Sequence, residues 1–261
     1  MSFKVVIPAR FGSTRLPGKA VIEIGGRPMI QWIIEAAARS RADEVLVATD
    51  DERVARAAFH PADPQRSLAV MTAATHQSGT DRIAEVARQR GWSARTIVVN
   101  VQGDEPQLPA VLIDQVAALL EQHPAAAIAT LSTPIAAVEE FLDPNVVKVV
   151  TASGGAALYF SRAPIPWHRD GAAAGLMSQT SAARAQRHLG IYAYRVEALQ
   201  RLTAMAPAEL EVTEKLEQLR ALQAGMQIVV AVAQAPTGIG VDTEHDLKQV
   251  RAALAKGSVQ G

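Results

Sequence analysis

The chain of 261 residues balances 26 basic against 26 acidic side chains, and 49% of it is hydrophobic. That apolar content suits one large α/β domain with a small embedded lobe, and zero net charge leaves no global field for nucleic acid or anionic lipid. Cysteine is absent, which excludes disulfides, thiolate zinc sites and cysteine nucleophiles.

The first element is the β-branched run Val5–Ile7, stopped by Pro8, which reads as a buried strand. Behind it, Gly12, Ser13, Thr14, Pro17 and Gly18 form a loop, and between Lys4 and Lys19 there are four cations and no anion. Such a loop after a first parallel strand suits a phosphate, or is an ordinary turn with solvated arginines. It is not a Walker loop, because five residues separate Gly12 from Gly18 and Ala20 follows Lys19. It also lacks the three glycines of the dinucleotide fingerprint.

Met29, Ile30, Ile33, Ile34 and Ala37 recur at helical spacing after Pro28. Glu44–Thr49 reads as a second strand, and Asp50 as the cap of a helix over 52–59. This alternation predicts a doubly wound, mostly parallel sheet. Residues 60–67 read as a turn-rich surface loop without period, followed by a strand over 68–71. In the polar stretch His76-Gln77-Ser78-Gly79-Thr80-Asp81-Arg82, Thr80 can cap a helix over 81–89, or the donors can bind a base or ribose.

The apolar strand 96–101 runs into Gln102-Gly103-Asp104. Asp104 is a candidate ligand for magnesium, which is usually held by one or two carboxylates plus substrate phosphates; a turn-forming role is the alternative. A helix follows Pro109. Strand-like runs at 146–151, 156–160 and 189–194 break the rhythm and predict a mainly antiparallel insertion over about 135–195. Residues 170–185, rich in Ala, Gly and Ser, read as a mobile loop. Residues 208–223 read as one helix with a Leu216, Leu219, Leu222 stripe and a polar face that includes Glu217 and Gln218. A strand over 226–232 leads to Asp242, with Thr243 and Asp246 placed to cap a helix over 244–254.

The run Arg10…Ser13-x-Arg15-Leu-Pro-Gly-Lys19 resembles the N-terminal signature of sugar nucleotidyltransferases. Together with 76–82, Val99-Asn-Val-Gln-Gly-Asp-Glu-Pro106, 145–150, 157–162, 165–167, 187–192, 216–220 and Gly240-Val-Asp-Thr243, it resembles the 3-deoxy-manno-octulosonate cytidylyltransferase family over nearly the whole chain. The resemblance implies a single nucleotidyltransferase domain over 1–261 of Rossmann-like fold, its insertion used for dimerisation. It implies a homodimer that transfers CMP from CTP to 3-deoxy-D-manno-octulosonate (Kdo) with Mg²⁺, releasing pyrophosphate. CMP-sialic acid synthetases and uridylyltransferases share the first loop, but the 76–82, 187–192 and 216–220 motifs fit the Kdo branch better.

The resemblance also implies roles. Arg10, Ser13, Arg15 and Lys19 hold the triphosphate, with Gln77, Ser78, Arg82 and Gln102 completing the CTP site. Asp104 and Asp242 hold metal, and Gln102, Arg162, His188, Tyr192, Glu217 and Gln218 grip the acid sugar. Arg15, Lys19, Asp104 and Asp242 form the catalytic set. His168 and the long 60–67 segment depart from the family pattern. No signal-like or membrane-spanning run is present, so a soluble cytoplasmic protein is expected, with neither nucleic acid nor membrane as partner.

Overall fold

A computed structural model describes residues 2–12, 16–171, 175, 178–182 and 184–257, with side chains described up to 254. Ser13 and Arg15 lie outside the described residues, as do parts of the 170–185 stretch.

In chain order, β1 (Phe3–Pro8) leads through a 3-10 turn (Lys19–Val21) and the hairpin β2 (Glu23–Ile24) and β3 (Arg27–Pro28) into α1 (Met29–Ala38). Next come β4 (Glu44–Thr49), α2 (Glu52–Ala57), a second hairpin β5 (Phe59–His60) and β6 (Asp63–Ser67), then β7 (Ala69–Met71) and α3 (Gly79–Gln89). β8 (Ile97–Asn100), α4 (Ala110–Gln122), β9 (Ile128–Pro134), α5 (Val138–Leu142), β10 (Lys148–Thr151) and β11 (Ala157–Ser161) follow. The chain ends with β12 (Gln186–Arg195), α6 (Val196–Ala204), α7 (Glu209–Glu214), α8 (Gln218–Gln223), β13 (Ile228–Val232) and α9 (Glu244–Gly257).

Nine strands make the main sheet. β7, β4, β1 and β8 run parallel in that spatial order, as the strand–helix alternation predicts. β12 is antiparallel to β8 and to β9, so that Tyr192 has Asn100 on one side and Thr130 on the other. β13 closes that side parallel to β9. The expected antiparallel insertion is present as β10, β11 and β12. Its last strand is also a strand of the main sheet, so the insertion is stitched into the domain.

The β-branched strands are buried on both faces, as a covered parallel sheet requires. Phe3, Val5 and Ile7 face a core built with α1 and α4. Val6 and Leu46 face the opposite one, with Ile83, Leu199 and Leu219 from α3, α6 and α8. A third cluster joins the two ends of the chain: Val241, Leu247 and Val250 pack against Leu16, Ile24 and Met29. Fully burying such a side chain contributes about 1.5–3 kcal/mol, so this small cluster is sufficient to pin the segment carrying Asp242. Among the described residues no helix is long and apolar enough to cross a membrane.

Several local expectations are corrected. The cap of α2 is Asp51, whose Oδ1 accepts from Arg53 N–H at 2.8 Å, and not Asp50; Asp50 instead accepts from the Arg82 guanidinium at 2.8 Å. α3 starts two residues early, at Gly79, capped by Ser78 in a reciprocal box with Asp81, and not by Thr80. Residues 60–67 are not an irregular loop but belong to the β5–β6 hairpin. The expected helix over 208–223 is broken in two: Lys215 adopts a left-handed conformation, φ 54°, and α8 sets off in a new direction. In the stretch expected to be a mobile loop, Ala182 and Ala185 are buried against Ile135 and Phe141. The Thr243–Asp246 cap of α9 is as expected.

Candidate active site

A cleft of about 280 Å³ opens beyond the carboxyl ends of β1, β7 and β8, where ligands sit in open α/β sheets. Pro8, Ala9, Arg10, Lys19 and Ala20 form one wall, His76–Gly79 and Arg82 another, and Gln102, Gly103, Asp104 and Asp242 the floor. Eight predicted CTP and metal residues (Arg10, Lys19, Gln77, Ser78, Arg82, Gln102, Asp104 and Asp242) therefore meet in one place.

Backbone geometry explains how they meet. Gly18, φ +70°, accepts a left-handed turn and donates its N–H to Phe11 O at 3.0 Å, which closes the loop and starts the 3-10 turn at Lys19. A Cβ at Gly103 would stand 2.7 Å from Pro8 O. Only glycine lets the turn after β8 lie against the end of β1, and this aligns Asp104 with Lys19. Asp242 comes from the far end of the sequence. The buried Val241 anchors it, its N–H donating to Asp104 O at 2.8 Å, and the Asp242 N–H is held by Asp246 Oδ2 at 3.0 Å.

Lys19 is the hub. Its Nζ lies 2.9 Å from Asp104 Oδ2 and 3.1 Å from Asp242 Oδ1, with only 15% of its side chain exposed. Two carboxylates gathered on one cation-sized position are hard oxygen donors of the kind magnesium takes, with phosphate oxygens and water completing its shell. Among the described residues no group of three or more His, Cys, Asp or Glu could hold a metal by itself. The donor set fits an ion that arrives with phosphates. Beside Asp104, burial first and the neighbouring carboxylate second push Glu105 up to about 7, against the pull of Arg187.

Arg82, predicted for CTP, is buried and already occupied. It donates to Thr72 Oγ1, Ala73 O and Asp50 Oδ2, tying the ends of β4 and β7 together while it lines the cleft.

Among the predicted sugar residues, only Gln102 lines this cleft. Its Nε2 donates to Gly190 O at 3.3 Å, where β12 bulges between Leu189 and Tyr192. The bulge links the cleft to a second cluster in which His188 lies between Phe160 and Tyr192, ring centroids 5.0 and 5.2 Å away. Burial pushes the His188 imidazole down to about 3, so it is neutral. The Thr130 hydroxyl has a 2.7 Å bond to Ile191 O available for its proton, which leaves it to accept from His188 Nε2–H at 2.9 Å.

Glu217, expected among the sugar residues, is turned inward just after the break at Lys215. Its Oε2 accepts from Thr80 at 2.7 Å, and burial raises its pKa despite that bond and Arg220. Its Oε1 is buried without a hydrogen-bond partner among the described residues, as is Asn100 Oδ1 on β8. Gln218 is buried at the start of α8. Arg162 serves as a bracket, its guanidinium donating to the Glu214 and Pro144 carbonyls. Sequence reasoning named His76 only as part of the 76–82 stretch and did not single out Asn100, whose buried Oδ1 lacks a hydrogen-bond partner among the described residues. For both, the signal was a polar residue within a quoted motif at a strand end or in the loop after it.

Comparison with known proteins identifies the family and the fold. The profile of the cytidylyltransferase family matches residues 4–228. The chain is 52% identical over 254 residues to a 3-deoxy-manno-octulosonate cytidylyltransferase from Thioalkalivibrio sulfidiphilus, covering 97% of this chain and 99% of that one. It is 54% identical over 255 residues to one from Aeromonas hydrophila, covering 98% and 100%. A solved CMP:2-keto-3-deoxy-manno-octonic acid synthetase complexed with CTP superposes with a TM-score of 0.86 at 39% identity, covering 98% of this chain and 99% of that one. A 4-diphosphocytidyl-2C-methyl-D-erythritol synthase, at TM-score 0.61 and 14% identity over 97% of this chain and 100% of that one, shares the fold.

Proposed function

The chain belongs to the 3-deoxy-manno-octulosonate cytidylyltransferases, and from that premise we propose that the cleft transfers CMP from CTP to Kdo, yielding CMP-Kdo and pyrophosphate. The observation that carries this is Lys19 joined to Asp104 and Asp242 at the mouth of β1. One position thus brings together a cation for phosphates and two carboxylates for their counter-ion. The anomeric hydroxyl oxygen of Kdo bonds to the α-phosphorus in line, the α–β bridging P–O bond breaks, and the hydroxyl proton passes to solvent. Arg10 and Lys19 hold the triphosphate, with Ser13 and Arg15 proposed beside them, and Lys19 offsets charge gathering on pyrophosphate. His76, Gln77 and Ser78 supply polar groups for the nucleoside. Catalysis here is positioning and charge stabilisation, with no covalent enzyme intermediate.

Magnesium, held by Asp104 and Asp242, would neutralise phosphate charge and lower the pKa of the sugar hydroxyl. For the sugar, the proposed contacts are Gln102, His188, Tyr192, Glu217, Gln218 and Arg162. Glu217 Oε1 supports this set: the Arg220 guanidinium is 4.0 Å away and no described residue donates a hydrogen bond to it, and a buried acceptor without a donor costs about 1–3 kcal/mol unless a ligand hydroxyl supplies one. A homodimer using the insertion is also proposed. Leu158 on β11, 62% exposed, and Trp167, 45% exposed, support it, and a single-protomer mass by sedimentation at micromolar concentration would remove it.

The deciding experiment is pyrophosphate release with CTP or UTP against Kdo or sialic acid. Turnover should require magnesium and prefer CTP with Kdo. Full activity in excess chelator, or equal rates with UTP, would overturn the reading. In the same assay Glu217→Gln, which keeps an acceptor for Thr80, should raise the Kdo KM about tenfold, as expected for a lost charged hydrogen bond, with the CTP KM little changed. A selective loss of CTP affinity would remove Glu217 from the sugar set.

A further inference from the structure

The wall formed by His76–Gly79 is a loop, and a loop rich in donors needs something to hold its shape. On α3, Arg82, Glu85 and Gln89 share one face at three- and four-residue spacing, and all three reach back to the segment before the helix. Glu85 Oε2 accepts from Ala73 N–H at 2.9 Å and lies 2.5 Å from His76 Nε2. Its Oε1 accepts from Gln89 Nε2 at 2.8 Å, and Gln89 in turn donates to Met71 O at 3.0 Å. The carboxylate thus binds both ends of the four-residue segment Ala73–His76, and Gln77 and Ser78 follow directly on it. Glu85 is too far into α3 to act as its cap, which Ser78 and Asp81 already provide. Hydrogen bonds to an ionised acceptor are among the stronger ones in a protein. Here they hold a segment that runs directly into the His76–Gly79 wall of the cleft.

We propose that Glu85 is a positioning residue for nucleotide binding, holding His76 and the loop behind it so that His76, Gln77 and Ser78 face the nucleoside. This rests on the cytidylyltransferase reading and extends it to a side chain that does not touch the ligand. His76 lines the cleft and is only 19% exposed, so its ring is set by the carboxylate on one side and open to a ligand on the other.

The test is CTP binding by calorimetry together with steady-state kinetics. Glu85→Ala should weaken CTP binding about tenfold, or about 1.4 kcal/mol, and raise the CTP KM to match. kcat at saturating CTP and the Kdo KM should stay within about twofold. Glu85→Gln should recover most of the affinity, because an amide oxygen still accepts from Ala73 N–H and stays within reach of His76 Nε2. In a His76→Ala background the loss from Glu85→Ala should shrink below about threefold, the non-additivity expected of groups acting through one another. If Glu85→Ala does not fold, Glu85→Asp, charged but too short to reach the loop, carries the same expectation. Unchanged CTP affinity in the folded variant, or a lower melting temperature with every kinetic constant intact, overturns the proposal. Wild-type protein that fails to bind CTP would instead remove the cytidylyltransferase reading, and this inference with it.

Discussion

Lys19→Ala should lower kcat by about 10²–10³, or ~3–4 kcal/mol, the typical cost of removing one preorganised electrostatic group, while the CTP Kd changes less. The reason is where the charge is needed. The ammonium pairs with Asp104 and Asp242, both within 3.1 Å. In the proposed reaction the same ammonium would stand beside the phosphates as negative charge moves onto pyrophosphate, so its contribution would be larger in the transition state than in the ground state. Lys19→Arg should restore only part of the rate, because a planar fork places its charge differently from an ammonium. A second consequence follows from the pairing. Without Lys19 the two carboxylates lose the cation held between them, so Lys19→Ala should also melt slightly lower, and magnesium should restore that loss. Steady-state kinetics beside a thermal melt separates the roles. A kcat within about threefold of wild type, well under 1.4 kcal/mol, would end the catalytic assignment whatever the melt shows.

Much of this site was readable from local sequence, and the reasons are physical. β1 and its loop lie within twenty residues of each other, so hydrophobic run, glycine placement and cation spacing act on one short piece of chain. Asp104 was readable for the same reason, being fixed by an apolar strand and Gly103. Asp242 was readable only through the family resemblance. What brings it to Lys19 is the packing of Val241, Leu247 and Val250 against Leu16, Ile24 and Met29, a contact spanning most of the chain and without a local signal. The misreadings share a cause. At 208–223 one continuous helix was expected, but the backbone turns left-handed at Lys215, and Glu217 just beyond it is held inward by Thr80. At Ser78 and Thr80 two hydroxyls competed for one cap. The reciprocal bond to Asp81 decides for Ser78 and releases Thr80 to bind Glu217. Asp50 and Asp51 repeat the pattern, since the acid not used as a cap is the one that holds Arg82. The β5–β6 hairpin was invisible because its residues are mostly polar and exposed, and period-two alternation fails where neither face is buried.

Asp104→Asn should cost more than the lysine change, about 10³-fold or more in kcat/KM, ~4 kcal/mol at 1.36 kcal/mol per factor of ten. The substitution is isosteric and leaves intact the backbone carbonyl that accepts from Val241 N–H, so the floor of the cleft should keep its shape and the melt should move little. What is lost is a full negative charge at the point where a divalent cation and the phosphates must be held together. An amide oxygen remains a possible ligand but binds a hard cation less strongly than a carboxylate does. Two mechanisms could produce a fall in rate, and they are separable. If Asp104 holds the metal, Mn²⁺ binding measured by electron paramagnetic resonance in the presence of CTP should weaken in Asp104→Asn and in Asp242→Asn alike. If Asp104 only orients Lys19, Mn²⁺ affinity should be unchanged. The Lys19→Ala, Asp104→Asn double variant should then be no slower than Lys19→Ala alone, because the second change would remove a partner already without work. Activity in Asp104→Asn within tenfold of wild type would exclude both roles. Weakened Mn²⁺ binding with a double variant slower than either single one would assign the carboxylate to the metal and the ammonium to the leaving pyrophosphate, as two separate contributions to one transition state.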